Sequence, residues 1–113
     1  MVQNRNKLIE LFIGNLSNAI VHEILSKAID DDNIRKHYDR ELKNSFDISK
    51  KYREKINPNY TVLPDKDIEN IKNKLNRKVN AELQLRISKG YENIDLDLIE
   101  NIINKKLKDM KID

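Results

Sequence analysis

Cysteine is absent from this chain, which removes disulfides, thiolate nucleophiles and every zinc site that needs a sulfur ligand. Tryptophan is absent too. Aromatics make up only 5% of the residues, so a core has to be built from aliphatic side chains. Two glycines and two prolines are too few turn formers for a many-stranded β fold, and their scarcity directs the chain towards helices. The glycines, Gly14 and Gly90, are also too far apart to form a glycine-rich phosphate loop.

Histidine is nearly as scarce. His22 is followed by Glu23 but has no second histidine four residues on, so the two-histidine zinc motif is missing. No glutamate stands three residues before His22 or His37, so the Glu-x-x-His pairs of a di-iron bundle are missing as well. Neither histidine lies in a recognisable nucleophile arrangement. The acidic run Asp30-Asp31-Asp32 does not open a calcium loop, because Arg35 occupies the sixth place, where such a loop turns on glycine. No catalytic residue, metal or cofactor is expected from these patterns.

An uninterrupted apolar run of membrane-spanning length is also missing. The most apolar stretch, Lys7 to Ile29, is broken by Glu10, Asn15, Asn18, His22 and Glu23, and ionised groups at bilayer depth cost several kcal/mol. Glu10 falls where a signal peptide needs its apolar region. With no cysteine to oxidise, the chain is expected to be cytoplasmic.

Charge is plentiful: Asp, Glu, Lys and Arg make up 36% of the 113 residues and the net charge is +3. A chain of this length fits one domain, residues 1–113. The positive excess is uneven. Residues 58–90 hold seven basic and four acidic groups, whereas 91–113 hold four basic and six acidic.

Between Leu8 and Ile29, 13 of 22 residues are apolar. Ile9, Ile13, Leu16, Ile20, Ile24 and Ala28 keep the three- and four-residue steps of one helix face. Leu8, Phe12 and Ala19 widen that face on one side, and Val21, Leu25 and Ile29 on the other. Only a narrow strip, Asn15, Asn18, His22 and Ser26, stays polar. A helix so apolar has to be covered on several sides, so it is expected to be the centre of a compact all-α bundle of four helices.

The four helices are predicted near 5–29, 33–56, 65–89 and 95–110. The second has a stripe of Ile34, Tyr38, Leu42, Ser45, Phe46, Ser49, Tyr52 and Ile56. From Asn57 to Pro64 runs a non-helical strap, pinned by Tyr60, Val62 and Leu63. The third carries Ile68, Ile71, Leu75, Val79, Leu83 and Ile87, pairs Glu82 with Arg86, and ends at Gly90 in left-handed geometry. The fourth is capped by Asp95, with Ile94 packing back on Ile99, and buries Leu96, Ile99, Ile103, Leu107 and Met110.

Two functions fit this pattern. The first is a non-catalytic interaction module that binds a protein partner and pairs with a second copy of itself. Three short neighbours are expected to leave part of the first helix uncovered, and Gly14, Asn18, Val21 and Leu25 mark the seam for that homodimer. The second is a small nucleic-acid-binding protein, in which Lys66, Lys74, Arg77 and Lys78 on the outer side of the third helix meet phosphates. No aromatic residue is interleaved there for base stacking.

Overall fold

The structure, a computed structural model, describes residues 5–56, 63–110 and 112 of the chain. Its four helices are α1 (Arg5–Ala28), α2 (Asp32–Ile56), α3 (Asp65–Ser88) and α4 (Leu98–Asp109). There is no strand among the described residues. The expected all-α bundle is observed, and α1 is its centre: it packs on each of the other three helices. α3 and α4 also meet, whereas the backbone of α2 lies along α1 alone.

Ten apolar residues of α1, from Leu8 to Leu25, are buried. By length and composition α1 could cross a membrane, but its apolar face is turned into the bundle. The expectation that part of this arc stays open is corrected at Val21 and Leu25, while Leu11 stays partly exposed. Val21 is 4% exposed and Leu25 1% exposed, both covered by the chain's own helices. The reason is the length of α2. Its 25 residues match the 24 of α1, and half-buried Tyr38, Phe46 and Tyr52 pack against the same core.

The turn between α1 and α2 is held at both ends. The Asp31 carboxylate accepts hydrogen bonds from the Asn33 and Ile34 amides at 2.9 and 3.1 Å, capping α2. The Arg35 guanidinium reaches back to the Ile29 carbonyl at 2.6 Å and closes the open end of α1.

α2 differs from its predicted stripe at two places. Ile34 is 47% exposed, because it lies in the first turn beyond the reach of the core. Arg53, which reads as an outer charge, is fully buried, and its Nε donates to the Met110 carbonyl at 3.0 Å. Phe46 is flanked by two ammonium groups, Lys50 at 4.7 Å and Lys106 at 4.6 Å from its ring. Lys106 also pairs with Glu23 at 3.2 Å, so one side chain of α4 touches both α1 and α2.

Leu63 is buried as expected of the strap, while Tyr60 and Val62 lie outside the described residues. In α3, Ile71, Leu75, Val79 and Leu83 are buried, but Ile87 is 41% exposed because the helix runs past the core before it stops. Gly90 takes φ +99°, and the amides of Gly90 and Tyr91 bond back to Ile87 and Arg86.

The fourth helix begins three residues later than predicted. Asp95 holds the Asp97 amide at 3.0 Å in a local turn instead of capping the helix. Ile94 packs at the margin of the core and Ile99 lies inside it. Met110 and Ile112 are both buried at the end of the chain.

Two stability measurements check this packing. Leu16→Ala or Ile20→Ala, each removing a fully buried side chain, should lower the urea-unfolding free energy by about 2–5 kcal/mol. Gly14→Ala should raise it by about 1 kcal/mol, because glycine is the poorer helix former and the new methyl meets nothing within 4 Å.

Candidate interaction groove

Three and four residues separate neighbours on one face of a helix, so Lys7, Leu11, Gly14 and Asn18 line up along α1. Lys74, Lys78 and Glu82 line up along α3 by the same rule. The two rows face each other across a groove. Its wider end, about 430 Å³, is lined by Lys7, Glu10, Leu11 and Ile13 from α1 and by Lys74, Arg77 and Lys78 from α3. Lys78 also lines the adjoining hollow of about 370 Å³, with Gly14, Asn15, Ser17, Asn18, Val21 and Glu82.

The structure thus brings together most of two sets that the sequence kept apart. Lys74, Arg77 and Lys78 share the wider end. Lys66 is exposed in the first turn of α3 and lines neither hollow. Gly14 and Asn18 line the narrower hollow, with buried Val21 as its floor, while Leu25 belongs to the core alone. Lys7, Glu10 and Leu11 are the contributors that sequence reasoning missed. The signal was present in the spacing of Lys7, Leu11 and Gly14, but no sequence rule said that this edge of α1 would face α3.

The groove walls are held by short local bonds. The Asn15 amide donates to the Leu11 carbonyl at 2.8 Å, and the Ser17 hydroxyl donates to the Gly14 carbonyl at 2.9 Å. At the far end, Glu82 accepts from Arg86 at 3.2 Å, the pair expected from the sequence. Among the described residues, Lys7, Lys74, Arg77, Lys78 and Glu10 make no ion pair, although Arg5, Arg35, Arg86 and Lys106 do.

Beyond the groove the polar strip of α1 turns towards α2. Ser26 donates to the Asp39 carboxylate at 2.5 Å, and His22 stacks on Tyr38 with ring centroids 5.7 Å apart. Tyr38 in turn neighbours Tyr91, which receives a 3.5 Å hydrogen bond from Arg86. Partial burial raises the Tyr38 pKa. His37 is exposed. Among the described residues no cluster of three or more His, Asp or Glu side chains could hold a metal ion.

Comparison of the chain with known protein families, with curated proteins and with solved structures finds no match. The groove therefore has to be read from its own chemistry. It offers four cationic side chains, two carboxylates (Glu10 and Glu82), a partly exposed leucine and a glycine facing open space. It has no nucleophile paired with a base.

His22 supplies a pH test of the interior beside this face. Burial is the largest influence and holds its pKa below the ordinary 6.5; Glu41 and Glu82 act upwards, Arg86 and His37 downwards. A lowered folded-state pKa means that the unfolded chain takes up the proton first as pH falls. The contribution of neutral His22 is then complete above about pH 6.5 and is lost as pH falls through the folded-state value. Urea unfolding should give a lower stability at about pH 5 than at about pH 7.5. His22→Gln should reduce that difference, and an unchanged difference would assign the titration to another group.

Proposed function

We propose that this chain is a non-catalytic, cytoplasmic interaction module that receives a protein partner in the groove between α1 and α3. The observation that carries this reading is the unpaired cationic lining of the groove. The apolar seam on which pairing of two copies rested is filled by the chain's own helices, so partner binding is the reading favoured over a homodimer.

Gly14 supports the same surface. A glycine in the middle of a helix costs about 1 kcal/mol relative to alanine. No neighbouring side chain in this chain requires it, since a Cβ there would meet nothing.

Nucleic-acid binding is a second reading, supported by the convergence of Lys74, Arg77 and Lys78. It is the weaker of the two, because the lining contains a carboxylate and an apolar floor and no aromatic ring for stacking.

A glutamine at position 14 is neutral, forms helices well and projects into the groove. In affinity capture from cells that express the protein, Gly14→Gln should lose partners that the unchanged chain retains, with the same circular dichroism. Identical partner sets for the two chains would overturn the assignment of the groove.

A further inference from the structure

We infer that the partner segment held in the groove is acidic and amphipathic, an α-helix that sets carboxylates against the cations of α3 and an apolar side chain against Leu11. The inference rests on the groove reading above and names the chemistry of its occupant.

Its first support is where the chain leaves charge uncompensated. The helical neighbours of Lys74 one turn away are Asn70, Ile71, Arg77 and Lys78; those of Arg77 are Asn73, Lys74, Asn80 and Ala81. None is acidic. Glu82, one turn from Lys78, already pairs with Arg86 at 3.2 Å. Lys74 and Lys78 therefore face each other as like charges at a four-residue spacing, an arrangement that weakens an isolated helix. Lys7 closes the ring from α1. Carboxylates from outside the chain would relieve this repulsion.

Its second support is shape. Lys74 and Lys78 stand one helical turn apart, about 6 Å along the axis, which is the spacing of carboxylates at i and i+4 on a partner helix. Besides the cations of α3 and Lys7 of α1, the same hollow is lined by Leu11 and buried Ile13, a place for one apolar side chain. A nucleic-acid backbone has no such group to offer. Glu10 stands in the same lining and repels a uniformly anionic polymer, whereas a protein segment can set a neutral or basic residue there.

The test uses the whole chain and a fluorescent helical peptide of about 20 residues with Glu at i,i+4 spacing and Leu on the intervening face. Three comparisons go with it: the same peptide with every Glu replaced by Gln, a DNA duplex and a single strand. The acidic peptide should bind, and its affinity should fall about tenfold between roughly 0.05 and 0.3 M salt, as screening shortens the reach of the charges. The double variant Lys74→Gln, Lys78→Gln should bind it at least about tenfold more weakly, with no lower unfolding midpoint, because it removes the like-charge repulsion and no packing.

No binding of the acidic peptide, equal binding of its Gln counterpart, or tighter binding of either DNA overturns the inference. If the peptide fails while Gly14→Gln still loses partners, only the acidic class is refuted and the groove reading stands. If Gly14→Gln loses none, the groove reading itself fails, whatever the peptide does.

Discussion

A helix that is apolar on nearly all sides cannot be left beside water, and the rest of this structure follows from covering α1. Three neighbours manage it because α2 and α3 are as long as α1 itself, while short α4 and the chain's end close the remaining side. The covering helices need only one apolar stripe each. This is why α2 has just three buried residues, two of them polar. The composition follows the same division: the apolar residues concentrate in α1, and the charges are distributed over its neighbours.

The elements with a strong period were legible in advance. α1, α3 and the break at Asp30–Asp32 follow directly from spacing and end signals, and Gly90 takes the left-handed geometry that its place after the last turn demands. The misplacements have physical causes. Asp95 can bond either to a helix start or to its own local turn, and the turn prevailed, so α4 starts at Leu98. Ile34 and Ile87 continue their periods past the region where anything packs on them. Arg53 was unreadable because a lone arginine inside a charged stretch looks solvated, and only the fold brings the Met110 carbonyl to it.

The groove shows the same limit in another form. Each wall could be described from sequence: basic side chains on one helix, small ones on another. Their juxtaposition depends on which edge of α1 turns towards α3, a rotation about the helix axis that an almost uniformly apolar helix does not reveal. The polar strip fixed part of it, since Asn18 lies at the groove while His22 and Ser26 meet α2. Lys7 and Leu11, one turn apart at the start of α1, complete the surface.

Arg53 has a consequence for how the chain comes apart. Its guanidinium is wholly withdrawn from water, and removing an ion from water costs several kcal/mol unless protein atoms replace the lost solvent. One of those atoms, the Met110 carbonyl, lies 57 residues further along the chain. Opening the end of α4 therefore exposes more than Met110 and Ile112: it strips a buried charge of a hydrogen-bond acceptor inside α2. Fraying at one end of the sequence is thereby coupled to the undocking of a distant helix, so these two regions open together as a single cooperative unit.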